Sequence, residues 1–271
     1  MDAQNNLISC FIACHNHGKY VYNAVKSVAE QSLPPSEIIL IDDGSTDNTA
    51  MEFMRAIQDF SIPFTVKSHM TRMGHIQSYN EATEMCVGKF IHLMAADDLI
   101  LSPEFYSMAM ELFIPKVGAV TCELVHMDED GNQLPQRSRI PFHSTICEPR
   151  RALEEMAKMG NFICGGGTLA RKEALHPYRE DMPYTADFFQ WIGILKRGWW
   201  LGAVRNSTQN MVYGYRQHPG SMSAHTRGTI DERFICSEAL KAALDRTNVD
   251  TGSPSLVEPG SLAPKTEPVG D

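Results

Sequence analysis

Strand-like and helix-like patterns alternate over the first ~115 residues, and two of the strand-like runs end in paired aspartates. Ile38-Ile39-Leu40-Ile41 leads into Asp42-Asp43-Gly44-Ser45. Phe90-Ile91-His92-Leu93-Met94 leads, after two alanines, into Asp97-Asp98. Apolar runs this rich in β-branched residues read as strands buried on both faces. Val21, Val25, Val28 and Ala29 share one helical face, as do Ile76, Tyr79, Thr83 and Cys86. Repeated strand–helix units predict an α/β fold. Carboxylates at strand ends lie where such sheets open to ligands.

The expected strands are Leu7 to Cys14, Glu37 to Ile41, Ile62 to Lys67, Lys89 to Met94, Val117 to Val125, Asn161 to Ala170, Trp199 to Val204 and Met211 to Tyr215. The expected helices are Tyr20 to Gln31, a second capped by Ser45 or Thr46 and running to about Gln58, and a third through Ile76 to Cys86. Pro103 opens another. Glu148 to Lys158, Ala186 to Lys196 and Asp231 to Asp245 follow, with Phe188, Trp191, Ile192 and Leu195 on one face. Asp128 to Asn132 reads as a turn. Trp199-Trp200 and the methionines from Met108 to Met127 read as core packing.

A formal charge of −9 argues against a nucleic-acid binder. It leaves room for a phosphorylated small molecule, because a bound metal supplies positive charge locally. No run approaches the ~18 apolar residues of a membrane span, and Met1 to Asn6 is polar, unlike a signal peptide. The expected location is cytoplasmic, with peripheral association at the inner face of the membrane left open. Seven cysteines without CxxC spacing fit a reducing compartment and predict neither zinc nor disulfide.

The order of motifs resembles glycosyltransferase family 2, whose members have the GT-A fold. The segments are FIACHNHGKYVYNAVKSVAEQS (11–32), EIILIDDGSTDNT (37–49), GKFIHLMAADD (88–98), CGGGTLARKEAL (164–175), YTADFFQWIGILKRG (184–198) and YRQHPGSMS (215–223). The resemblance spans roughly residues 7 to 224. It implies a Rossmann-like α/β fold with a mixed central sheet flanked by helices. It implies one catalytic domain over residues 1–247, with a nucleotide-sugar half to about 115 and an acceptor half from about 116. Residues 248–271, rich in Pro, Ser, Gly and Thr, read as a disordered tail. The implied reaction moves a sugar, with inversion, from a nucleotide-diphosphate donor to a hydroxyl of a saccharide or lipid-linked glycan. A UDP-sugar is the foremost donor, and Mn2+ or Mg2+ the implied cofactor.

The resemblance also implies roles for residues. Ala13, His15 and Asn16 hold base and ribose, and Asp42 or Asp43 reads the base. Arg72 and Asn80, with Gly74, pass over the diphosphate. Asp97 and Asp98 match the metal motif, usually written DxD, which here reads Ala96-Asp97-Asp98. Two carboxylates and a diphosphate repel, by about 4 kcal/mol per pair of charges at ~4 Å and an effective dielectric of 20, so a cation is required between them. His218 joins the metal or touches a phosphate, Arg216 and Ser223 add phosphate contacts, and Gly166 lies near the donor sugar. Asp187 is the general base for the acceptor hydroxyl, although a helix N-terminus lowers a carboxylate's basicity. Many relatives carry Glu-Asp where this chain has Ala186-Asp187, which leaves one acid there; Glu180 and Asp181 are alternatives. His15 and His17 form only a weak metal pair. A nucleotidyltransferase of similar fold is disfavoured because HNHGKY is not a glycine-rich basic loop. A non-catalytic nucleotide-sugar binding module is disfavoured by the full set of acids.

Overall fold

The computed structural model describes residues 8–207, 211–221 and 230–247. Ser223 and residues 248–271 lie outside these. Strands β1 (Ile8–Cys14), β2 (Glu37–Asp42), β3 (Phe64–Ser68) and β4 (Phe90–Leu93) are parallel and ordered β3-β2-β1-β4. Helices α1 (Val21–Ala29), α2 (Thr49–Asp59) and α3 (His75–Met85) connect them. Ile38, Ile39, Leu40 and Ile41 are all wholly inaccessible. Ile38 and Leu40 pack with Val21, Val25 and Phe53 of α1 and α2, while Ile39 and Ile41 pack with Ala82 of α3 and Cys86 just beyond it. Helices on both faces explain why the run carries no polar alternation.

Beyond β4 the sheet turns mixed. β10 (Thr168–Arg171) pairs antiparallel with β4 and with β6 (Val117–Cys122); β11 (Trp200–Val204) and the two-residue β9 (Ile146–Cys147) follow. The eight-stranded order is β3-β2-β1-β4-β10-β6-β11-β9. Helices α4 (Phe105–Glu111), α5 (Pro149–Met159), α6 (Ala186–Lys196) and α7 (Ile230–Thr247) complete the architecture. A mixed sheet flanked by helices is the expected fold class.

A second sheet has the order β5-β12-β7-β8, from β5 (Leu99–Ile100), β12 (Tyr213–Arg216), β7 (Leu124–Met127) and β8 (Gln133–Ser138). β12 runs antiparallel to β5, with Tyr213 opposite Ile100 and Gly214 opposite Leu99. Two residues further, that register sets Arg216 beside the Asp97-Asp98 segment. The main sheet reverses its strand order between β1 and β4, where α/β sheets open to ligands, and the small sheet lays residues 216–218 over that opening.

Several expected elements differ. Val117 to Val125 is not one strand but β6 and β7, in different sheets, broken at Glu123. The Glu123 amide donates to Val204 O (3.0 Å), and its carboxylate accepts from Arg205 Nη1 (3.0 Å) and the Asn206 amide (3.1 Å). Of Asn161 to Ala170 only the end is strand, because Gly167 N donates to Cys164 O (3.2 Å) and folds the glycines into a turn. The N-cap of α2 is Asn48, which makes no side-chain cap bond; Asp47 Oδ1 accepts from Thr49 N (3.0 Å), whereas Ser45 and Thr46 bond across to the β1–α1 loop. On α6, Phe188 is only partly buried and Gln190 is buried instead. Trp199 and Trp200 pack into different cores. All seven cysteines are free. Among the described residues no helix is long and apolar enough to cross a membrane.

Candidate functional site

The loop leaving β1 is laced to the loop leaving β2. Asn16 N donates to Ser45 Oγ (2.9 Å), His17 N to Thr49 Oγ1 (3.0 Å) and Gly18 N to Asp47 Oδ2 (3.0 Å). Asn16, at φ 57°, returns its side-chain oxygen to Thr46 N (2.8 Å). His15 Nδ1 bonds Asp43 O (2.9 Å). These amides are committed within the protein, so the loop is not a phosphate cradle of the P-loop kind. Ala13 ends partly buried in the core on the α3 side.

Asp42 and Asp43 have separate surroundings. Asp43 is the more enclosed. Its Oδ1 accepts from His69 Nδ1 (2.9 Å) and Met73 N (2.7 Å), and its Oδ2 from Gly74 N (2.9 Å). Burial opposes ionisation, but these donors outweigh it and hold the Asp43 pKa below the ordinary carboxylate value. Asp43 therefore staples the 69–74 loop. Asp42 spends Oδ1 on Ser45 N (2.8 Å), which leaves Oδ2 as the better placed group to meet a ligand. Gly44, at φ +71°, makes the turn, and any side chain there would strike the backbone at Thr71 and Arg72.

Asp97 and Asp98 also diverge. Asp98 is 3% exposed. Its Oδ2 accepts from the Tyr213 hydroxyl (2.8 Å) and its Oδ1 from Arg216 N (2.7 Å). Burial, then the neighbouring Asp97 charge, raises its pKa well above the ordinary value. Asp98, expected at the metal, holds β12 through these two bonds. Asp97 Oδ2 instead meets His218 Nε2 at 2.9 Å. A ring nitrogen of His17 completes a group with Asp97 and His218 whose ligand atoms all lie within 4.8 Å of one another. Burial lowers the His17 pKa, Asp97 offsetting only part of the effect.

Arg216 is buried, and its guanidinium is engaged by the backbone. Nε donates to Asp97 O (2.6 Å) and Nη1 to Glu129 O (2.8 Å), with the plane over the Tyr20 ring. It frames the acidic segment more than it offers itself to phosphate. Asn80 uses both ends of its amide on the Tyr178 backbone (2.9 and 2.7 Å), and so anchors the 178 segment. Arg72 is exposed on the 69–74 loop. An open groove of about 590 Å3 beside α3, lined by His69, Met70, Gln77, Asn80, Glu81 and others, includes none of the Asp97 group.

The glycine turn lies between Tyr213 and Asp187. Gly166 lies against the Tyr213 hydroxyl and Ala95, and Gly165 against the Asp187 carboxylate. Side chains on Gly166 would displace Tyr213, which explains the residue type. The buried His92 fixes the turn through Nε2 to Gly166 O (2.8 Å), its Nδ1 meeting the Tyr106 hydroxyl (2.6 Å). Asp187 begins α6, accepts from Phe188 N (2.7 Å) and takes a second bond from Asn161 Nδ2 (2.9 Å). Loss of hydration outweighs both donors and raises its pKa. That reverses the direction expected from the helix N-terminus alone and favours proton acceptance. From α7, Glu232 Oε2 accepts from Tyr184 N and Thr185 Oγ1 (3.0 Å each) and fixes the start of α6. The Tyr79 hydroxyl feels Asp97, Asp187 and Asp98 together, although burial is the main cause of its raised pKa. Tyr213, Asn161 and Tyr79 adjoin these groups and carried no sequence signal, whereas His17 was named only as half of a weak HxH pair.

Residues 9–179 match the family model for glycosyl transferase family 2. The chain is 30% identical over 171 residues to poly-beta-1,6-N-acetyl-D-glucosamine synthase of Staphylococcus epidermidis, which covers 62% of this chain and 40% of that protein. It thus spans about two fifths of that relative's length. Among solved structures, S. aureus TarS 1-349 in complex with UDP-GlcNAc superposes with a TM-score of 0.68 at 16% identity, over 88% of this chain and 66% of that one. The mannosyltransferase PcManGT from Pyrobaculum calidifontis, in complex with GDP-Man and Mn2+, superposes with a TM-score of 0.58 at 16% identity, over 91% and 76%. At these identities the structural likeness is one of fold.

Proposed function

Since the chain belongs to glycosyltransferase family 2, we propose that it transfers a sugar from a nucleotide-diphosphate donor to a hydroxyl of a saccharide or glycan acceptor, with inversion and with a divalent metal. The observation that carries this reading is the nearness of two unlike chemistries, both of whose charges reach the Tyr79 hydroxyl. One is Asp97 with His218, 2.9 Å apart; the other is Asp187, its pKa raised by burial.

The residues fit a metal. A carboxylate and an imidazole suit Mn2+ or another first-row ion, and the buried His17 Nδ1 beside them has no hydrogen-bond partner. Asp97 and His218 would hold the ion, while Asp98, through Tyr213 and the Arg216 amide, keeps Asp97 in place. When bound, the metal neutralises the diphosphate and stabilises the charge that grows on it as it leaves. Asp187 accepts the acceptor hydroxyl's proton as the new C–O bond forms and the bond from the anomeric carbon to phosphate oxygen breaks, its electrons leaving with the diphosphate. Asn161 and Phe188 N orient that carboxylate. Asp42 Oδ2 is the better placed of its pair to read the nucleoside.

A UDP-sugar, with N-acetylglucosamine as the first sugar to try, is supported by the sequence relative's name and by the ligand of the TarS structure. Mn2+ is supported by the ion bound in the mannosyltransferase. The nucleotidyltransferase alternative loses support because the amides of residues 16–18 are already bonded. The test is calorimetric binding of UDP, GDP and their sugars with and without Mn2+, followed by release of free nucleoside diphosphate. We expect metal-dependent binding of one nucleotide and slow release from its sugar. Binding without any release, at every acceptor tried and in the hydrolysis background, would favour the non-catalytic module.

A further inference from the structure

We propose that His17 is a third protein ligand, so that the metal is held by two imidazoles and one carboxylate and the site favours a first-row transition ion over Mg2+. This rests on the metal reading of Asp97 and His218 and extends it to a residue that the family resemblance does not mark.

Four observations converge. One ligand atom from each of His17, Asp97 and His218 lies within 4.8 Å of the other two, a spread that a small closure brings to the roughly 2.0–2.2 Å bonds of such ions. His17 Nδ1 is buried without a hydrogen-bond partner, and buried polar atoms are almost always paired. The His17 backbone is fixed on both sides: its amide donates to Thr49 Oγ1 (3.0 Å), and its carbonyl accepts from Tyr20 N and Val21 N (2.9 Å each) at the start of α1. The ring is therefore carried on an anchored backbone and stands edge-on to His218, 6.4 Å between centroids. Finally, among the described residues Asp97 is the carboxylate of that group, while Asp98 is bonded to Tyr213 and Arg216 N.

The donor set decides the ion. Mg2+ is bound through oxygen and keeps its waters, whereas imidazole suits the transition metals. His15, two residues earlier, does not share the role, since its Nδ1 is spent on Asp43 O.

The test uses the full chain with UDP and Mn2+ or Mg2+. Affinity is measured by the loss of the free Mn2+ resonance, and coordinated nitrogen by electron spin echo modulation of the bound ion. The wild type should show two directly bound histidine nitrogens and prefer Mn2+. His17→Gln should show one, with Mn2+ affinity lower by at least the roughly tenfold that losing a mere outer partner costs, and with Mg2+ affinity little changed. The nitrogen count in the wild type needs no variant to fold. One bound nitrogen in the wild type, or unchanged Mn2+ affinity in His17→Gln while Asp97→Asn loses the ion, would overturn the role of His17 and leave the metal reading standing. Unchanged Mn2+ binding in Asp97→Asn would overturn both.

Discussion

Asp97 and Asp98 are adjacent in the chain but serve different partners: Asp97 Oδ2 meets His218 Nε2 at 2.9 Å, while Asp98 lies beneath the Tyr213 hydroxyl and the Arg216 amide at 2.8 and 2.7 Å. One carboxylate faces the opening of the main sheet, and the other ties the loop after β4 to β12. The division follows from register, because antiparallel pairing of β5 with β12 brings residue 216 back beside 97 and 98.

Removing the Asp98 anchor and removing the Asp97 charge should therefore have separate effects. Tyr213→Phe strips a donor from a buried carboxylate and should cost about 1–3 kcal/mol in urea unfolding. Asp97→Asn should change stability by less than about 1 kcal/mol, yet lose metal-dependent nucleotide binding in calorimetry. Equal destabilisation by both would mean that Asp97 is structural too.

Asp187→Asn should abolish transfer while nucleotide binding stays near that of the wild type. Asn161 supplies a subtler test. Its Nδ2 favours the ionised Asp187 (2.9 Å), so Asn161→Ala should raise the pKa of the base further. The acid limb of the activity profile should then move to higher pH, because the ionised carboxylate has lost a donor. A fall in activity with no movement of the limb would assign Asn161 to folding alone.

The parallel half of the molecule was legible because its signal is local. Ile38 to Ile41 needs helices on both faces wherever it sits, and the structure supplies them. The second half was not, for physical reasons. β5 and β9 have two residues each, too few to show a period, and β8 is largely exposed and polar. Glu123 looks like one polar residue in an apolar strand, but the ladder breaks there because Arg205 and Asn206 claim its carboxylate. Asp97, His218 and Asp187 could be named from motif order. The bond that holds Asp98 could not, since it comes from Tyr213, which is 115 residues away in the chain. Nor could the pKa direction of Asp187, because the helix N-terminus was visible in sequence and the loss of hydration was not.

The Asp43–His69–Glu81 chain gives a stability test with a defined window. His69 Nδ1 lies 2.9 Å from Asp43 and Nε2 2.7 Å from Glu81. Burial opposes the charged imidazole, but bonds to both acids prevail and its pKa is raised from 6.5. A raised histidine contributes fully below its unfolded pKa and loses the contribution as pH rises through the folded one. Asp43 and Glu81 are lowered from 3.8 and 4.5, so their contribution is present above those values and lost as pH falls. The network should be strongest between about pH 4.5 and 6.5. The destabilisation caused by His69→Gln should peak there and shrink by pH 9; a penalty independent of pH would mean that the ring acts only by packing.

His92 should show the opposite sign. It is wholly buried, sits between the Tyr106 hydroxyl and Gly166 O, and burial lowers its pKa from 6.5 to about 4 despite the bond to Gly166. Between those values the unfolded chain binds a proton that the folded chain does not, so stability falls as pH drops from 6.5 toward 4. The expected loss approaches about 3.5 kcal/mol once the pH is below 4, from a fall of 6.5 to about 4 at roughly 1.4 kcal/mol per unit. His92→Gln keeps an amide donor for Gly166 O and an acceptor for Tyr106 but cannot titrate. It should be less stable than the wild type at pH 7, through imperfect packing, and much flatter between pH 7 and 4, so that the two unfolding curves converge in acid. Because Gly166 touches both Tyr213 and the turn beside Asp187, the wild type should lose nucleotide affinity over the same interval more steeply than the variant. Parallel stability curves across that range would show that His92 does not titrate there and that the glycine turn is held by packing alone.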